Sequence, residues 1–151
     1  MTEMSVLTEA KDLEAVFTYF QNQKLDNISR IFLLGASQGG FVSTYVASEL
    51  KDNIAGLIAF YPAYVLQDDS RKRNPDQENG PETSSIMGMT VGRIYDIDAQ
   101  SFDIYDKMKD VSVNVLLVHG TDDQIVAVSY SERAEKTFKR AELKAISGAG
   151  H

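Results

Sequence analysis

Apolar positions along this chain recur in two rhythms, and the switches between them predict its elements. In residues 5–23, Leu13, Val16, Phe17 and Phe20 fall at the i, i+3, i+4, i+7 spacing of an amphipathic helix. Glu9, Lys11, Asp12 and Glu14 form its solvated opposite face. Residues 28–34, ending Ile31-Phe32-Leu33-Leu34, read as a strand of the kind buried on both faces of a parallel sheet. Helical spacing returns over 38–50, with Phe41, Val42, Tyr45, Val46 and Leu50 turned inward, and a second buried strand covers 54–61 up to Pro62. Strand, helix, strand in succession predicts right-handed βαβ units. Residues 67–81 (Asp68, Asp69, Arg71, Lys72, Arg73, Asn74, Pro75, Asp76, Gly80) predict a polar, mobile loop whose basic trio is solvated. Residues 84–109 carry apolar mass, including Met87, Met89, Tyr95, Ile104 and Tyr105, without a clean period. A buried strand follows at 115–118, then a helix marked by Tyr130, Ala134 and Phe138, then a last strand at 143–146. The total is about four sheet strands.

The first buried strand runs directly into Gly35-Ala36-Ser37-Gln38-Gly39-Gly40. Glycine, serine and glycine at alternate positions between a strand and a helix match a nucleophile elbow. Such a turn holds its serine at unfavourable backbone angles, and small residues two positions to either side keep strand and helix from colliding. The hydroxyl then stands beside the first N–H groups of a helix, which suit a developing anion. A phosphate-binding or packing turn would have the same composition. Two later segments favour the elbow. The strand Val115-Leu116-Leu117-Val118 enters the acidic turn His119-Gly120-Thr121-Asp122-Asp123, and the last strand leads into Gly148-Ala149-Gly150-His151. Serine, acid, histidine, each at a strand end, is the chain order of an α/β-hydrolase triad.

Over residues 31–151 the elbow, the His-Gly-x-x-Asp turn and the Gly-x-Gly-His loop resemble the α/β-hydrolase superfamily. The nearest resemblance is to bacterial carboxylesterases of the cinnamoyl and feruloyl esterase type. It implies an α/β fold with a mostly parallel sheet flanked by helices. Ser37 is then the nucleophile, and Asp123, third after Gly120, is the orienting acid, with Asp122 as a turn former. His151 is the base. His119, at the end of its own strand, supports the acid loop. The backbone N–H of Gln38 supplies one oxyanion donor; the fold draws the second from a loop before the elbow. Residues 1–30 contain no His-Gly-Gly loop. Residues 62–110 correspond to a cap or lid insertion, whose Met and Tyr side chains suit an adaptable apolar pocket or else cover the sheet. Because the complete fold needs well over 200 residues, residues 1–151 are expected to be a single, incomplete domain truncated at both ends. The strand at 31–34 is then expected to have an open apolar edge, inviting a homo-oligomer.

Composition narrows the alternatives. The chain has 151 residues, no cysteine and a net charge of −7. Cysteine-free, it has no disulfide, thiolate metal site or cysteine nucleophile. Two separated histidines suggest no metal site, and nothing points to a cofactor. An acidic balance disfavours nucleic acid as a partner. Met1-Thr2-Glu3-Met4 lacks the character of a signal peptide, and no apolar run approaches the roughly 18 residues of a membrane span, so a cytoplasmic protein without a membrane partner is expected. The expected activity is hydrolysis of a small carboxylic ester, acyl or aryl, through an acyl-enzyme. A serine peptidase or amidase of the same fold has the same triad. An inactive fragment or interaction module would also keep this core. A Rossmann-like nucleotide domain would need a Gly-x-Gly-x-x-Gly fingerprint, which the chain lacks.

Overall fold

Four strand segments of the sequence, three of them apolar runs, lie side by side, all pointing the same way. The computed structural model describes residues 2–23, 29–77 and 79–151. In chain order its elements are α1 (Val6–Asn22), β1 (Phe32–Ala36), α2 (Gln38–Leu50), a 3-10 turn (Lys51–Asn53), β2 (Gly56–Phe60), α3 (Leu66–Arg73), β3 (Thr83–Ile86), β4 (Met89–Gly92), α4 (Arg93–Gln100), α5 (Ile104–Met108), β5 (Asn114–Gly120), α6 (Ser129–Thr137) and β6 (Ala141–Ile146). The main sheet has the order β1-β2-β5-β6 and is parallel throughout. β3 and β4 form a separate antiparallel hairpin. This is the α/β architecture expected from the alternation of periods. Because every strand of the main sheet runs the same way, the turns that follow β1, β2, β5 and β6 all collect at one end.

One face of the sheet makes the core. Leu33, Leu57, Ala59, Val115 and Leu117 are buried there with Phe41, Val42 and Val46 of α2 and Ala134 of α6. α1 begins at a capping box, in which Ser5 accepts from the Thr8 N–H and the Thr8 hydroxyl bonds back to the Ser5 backbone. Ile104, Tyr105 and Met108 of α5 join the same core. Among the described residues no helix is long and apolar enough to cross a membrane.

The other face departs from expectation. β1 was expected to be buried on both sides, yet Phe32 is 53% and Leu34 63% exposed. Along the same face, Ile58, the register partner of Leu34, and Phe60 of β2, with their own partners Leu116 and Val118 of β5, are only partly buried. Continuous apolarity along a parallel strand does not reveal whether a layer covers its second face. β1 is also an edge strand, as anticipated. Val16 and Phe20 of α1, placed by periodicity on the inner stripe, instead wall an open apolar groove with Phe32 and Leu33. The predicted strand start at Ile28 lies outside the described residues.

The predicted loop at 67–81 is helical over its first half. α3 holds Gln67 and Ser70 buried, with Gln67 Nε2 donating to the Ala99 carbonyl at 2.7 Å and the Ser70 hydroxyl donating to the Asp96 carbonyl at 3.1 Å. The basic trio is not uniformly solvated. Arg71 and Lys72 pair with Asp68 and Asp69 one turn earlier on the surface, but Arg73 forks onto the buried carboxylate of Asp96 in α4. Polarity alone signalled a loop; tertiary partners make it a helix.

At the elbow the glycines carry unequal loads. A Cβ on Gly35 would lie 2.2 Å from the Gly39 carbonyl oxygen, and one on Gly40 would lie 2.9 Å from Pro62 Cβ. A Cβ on Gly39 would meet nothing within 4 Å, so the crowding expected on both sides of the serine exists on one side and one residue further on. Gly35→Ala should therefore cost roughly 2–3 kcal/mol of stability, while Gly39→Ala should leave the urea midpoint nearly unchanged. Equal midpoints for the two variants would refute this account.

Candidate active site

Ser37 sits at φ 51° and ψ −122°, outside the regions a side-chain-bearing residue prefers. Backbone hydrogen bonds hold it there. Its N–H donates to the Phe60 carbonyl at 3.0 Å, and its carbonyl accepts from Gly40 N–H at 3.0 Å and Ala63 N–H at 2.9 Å. The hydroxyl is thereby lifted beyond the sheet at the start of α2. The next amide, that of Gln38, lies in the first turn of α2, where a helix offers no internal acceptor.

Three predicted side chains converge. The Ser37 hydroxyl donates to His151 Nε2 at 3.0 Å, and His151 Nδ1 donates to Asp123 Oδ2 at 2.8 Å. This direction follows from the carboxylate, which only accepts and so fixes the proton on Nδ1, leaving Nε2 free to receive one. The His151 side chain is 21% exposed, whereas that of Asp123 is fully buried. Asp122, the rejected candidate, is exposed and accepts from the Thr121 hydroxyl.

Asp123 is the most heavily bonded group of the cluster. Its Oδ1 accepts the N–H groups of Ile125 and Val126 at 2.8 and 2.9 Å, and its Oδ2 accepts from both histidines. Burial pushes its carboxyl up, but the bond from Val126, that from His151, that from Ile125 and the proximity of the His151 ring outweigh burial and hold it below the usual carboxylate value. His119, fully buried, backs this arrangement. Its Nε2 faces the Val126 carbonyl at 2.9 Å and Asp123 at 3.1 Å, so that nitrogen carries the hydrogen, and Nδ1 accepts from the Ser131 hydroxyl at 2.7 Å. That is the supporting position expected for His119.

Other contacts here had not been foreseen. The Gln38 side chain is gripped from both sides: Nε2 donates to Glu9 of α1 at 2.7 Å, and Oε1 accepts from the Tyr95 hydroxyl of α4. Glu9, placed on the solvated face of its helix, is therefore tied to the elbow. Burial, then the Glu9 carboxylate, push the Tyr95 hydroxyl up to about 12, with Arg73 opposing and Asp96 adding to the rise, so it remains a donor at neutral pH. The Tyr61 ring lies 4.4 Å from that of His151. Its only sequence signal was an aromatic residue at the end of the predicted strand 54–61, next to Pro62. Before Ser37 opens a cleft of about 430 Å³, walled by Leu66, Ile86, Met87, Met89, Tyr95 and Val126. Among the described residues no His, Cys, Asp and Glu side chains group in a way that would hold a metal.

A parallel sheet with an elbow, an acid turn and a histidine loop in this order defines the α/β-hydrolase class. Residues 7–151 match the prolyl oligopeptidase family, and the chain belongs to it. Among solved structures it is similar to Est1E from Butyrivibrio proteoclasticus, with 28% identity, a TM-score of 0.91, and coverage of 98% of this chain and 63% of Est1E. Est1E with ferulic acid bound gives 28% identity and a TM-score of 0.90, covering 99% of this chain and 62% of that one. The chain thus spans less than two thirds of the length of Est1E. A monoacylglycerol lipase of Paleococcus ferrophilus shares the fold at 18% identity and a TM-score of 0.71, covering 99% of this chain and 68% of the lipase. A comparison with curated proteins gives no match. The resemblance to feruloyl-type esterases, carried by residues 12–40 and by the length of the segment between the elbow and the acid turn, agrees with these likenesses.

The bonds to Asp123 have a pH signature. A carboxylate whose folded pKa is depressed stabilises the fold in full above the unfolded value of about 3.9 and loses that contribution as pH falls through the lower folded value. Asp123→Asn should therefore be less stable than the parent at neutral pH, with the gap closing below about pH 4. Urea midpoints measured down to about pH 2 give the two curves; parallel curves would contradict the assignment.

Proposed function

We propose that this chain carries the catalytic centre of a serine hydrolase that cleaves carboxylic esters through an acyl-enzyme. The observation that carries the reading is the unbroken hydrogen-bond path from Ser37 through His151 to the buried Asp123, mounted on a strained turn at a helix start. Ser37 Oγ attacks the ester carbonyl carbon as its proton passes to His151 Nε2. The imidazolium is stabilised by Asp123, and the oxyanion takes a hydrogen bond from Gln38 N–H. Collapse expels the alcohol, which takes the proton from His151, and leaves Ser37 acylated. Water, deprotonated by His151, then releases the acid.

Residues 62–110 act as the cap of this site, since α3, the β3–β4 hairpin and Tyr95 of α4, with Ala63 and Val65 before them, supply about half of the cleft wall. Their apolar side chains, with Glu9, Asp69 and Arg73 also lining the cleft, suit an aromatic acyl group bearing polar substituents. The likeness to Est1E, for which a ferulic acid complex exists, supports the same class of substrate. Membership of the prolyl oligopeptidase family supports a second reading, in which the scissile bond is an amide.

A fluorophosphonate probe should label the purified chain, and Ser37→Ala and His151→Ala should each abolish labelling. Asp123→Asn should slow it by roughly 10³–10⁴. Paired aryl ester and anilide substrates of one acyl group then separate the readings: faster turnover of the ester supports an esterase, and faster turnover of the anilide a peptidase. A folded wild-type chain that takes no label would refute the hydrolase assignment.

A further inference from the structure

Tyr61 is a bulky residue at φ 35°, where side chains are strained, and it immediately precedes a proline. Its surroundings show what holds it there. On one side Phe60 receives the Ser37 N–H through its carbonyl; on the other, Ala63 N–H donates to the Ser37 carbonyl. Between them Pro62 packs against Gly40, and Tyr61 N–H donates to the Val118 carbonyl at 2.7 Å, extending the β2–β5 ladder by one bond. The four residues 60–63 thus wrap the backbone of the elbow. Tyr61 takes the positive φ inside that wrap, and its ring tilts at 52° against the imidazole of His151, centroid to centroid 4.4 Å.

We propose that Tyr61 is a positioning residue for His151, its ring setting the imidazole plane so that Nε2 meets the Ser37 hydroxyl. The inference rests on the serine hydrolase reading above. Hydrogen bonds hold His151 only at its two nitrogens, to Asp123 and to Ser37, and both bonds tolerate some tilt of the ring about its attachment to the backbone. A ring packed beside the imidazole removes that freedom. Asp123, Ser37 and Tyr61 meet it from the turns after β5, β1 and β2. One segment therefore fixes both reaction partners, the serine through backbone bonds and the histidine through a ring.

The test uses the full chain, in which only His119 and His151 contribute imidazole resonances. Tyr61→Leu removes the ring, Tyr61→Phe keeps it, and Tyr61→Gly removes it while accepting the positive φ without strain, which guards against a misfolded leucine variant. Ring removal should abolish the ring-current displacement of the His151 resonances and leave those of His119 in place. It should slow fluorophosphonate labelling by roughly 10- to 100-fold, and lower kcat for an ester with KM little changed. The phenylalanine variant should match wild type on every measure. The proposal is overturned if the leucine and glycine variants fold, keep the displaced His151 resonances and label at the wild-type rate. It is overturned equally if phenylalanine fails to rescue. An unlabelled wild type whose His151 resonances still respond to Tyr61 would sink the hydrolase reading and leave the positioning of the ring intact.

Discussion

Ser37 keeps φ 51° and ψ −122° because its backbone is hydrogen-bonded on one side to the last residue of β2 and on the other to the segment that follows it. That constraint organises the working end of the molecule. It requires Gly35 to lack a side chain, since the Gly39 carbonyl occupies the space, and it brings Pro62 onto Gly40. Strain of this kind persists only where surrounding structure over-determines it. Here the over-determination comes from the parallel pairing of β1 with β2, which sets the height at which both strands end.

The acid end is built on a different principle. Asp123 is fully buried as a side chain yet accepts four hydrogen bonds, two from backbone and two from imidazoles. Burying a carboxylate without partners would be prohibitive, whereas a fully bonded one is held as an anion in a fixed place. His119 explains how the acid keeps its aim. It stands behind the carboxylate, itself locked by Ser131 and Val126, so Asp123 presents Oδ2 to His151 from a rigid backing.

Much of this was legible in the chain. Helical and strand periods located the four parallel strands and helices α1, α2 and α6, because tertiary context did not override them there. The positions of Ser37, Asp123 and His151 could be read because each follows a strand, and parallel strands put such positions at one end. α3 was missed because its polar residues find partners on α4 that lie more than twenty positions away in sequence. The uncovered face of β1 was missed because apolar strands look alike whether one or two layers enclose them. Tyr61 and the Gln38 clamp left no periodic trace, since each is a single side chain placed by the meeting of separate elements.

β1 and β6 are the opposite edges of the main sheet, yet Ser37 and His151, 114 residues apart in sequence, touch. The residues after β6 must therefore reach back across the ends of β5 and β2, like a strap drawn over the rim of a basket. Twist between neighbouring strands accumulates over that whole width. The distance from hydroxyl to imidazole is thus a gauge of the twist of the entire sheet, and slippage between any two of its strands would be read at the buckle.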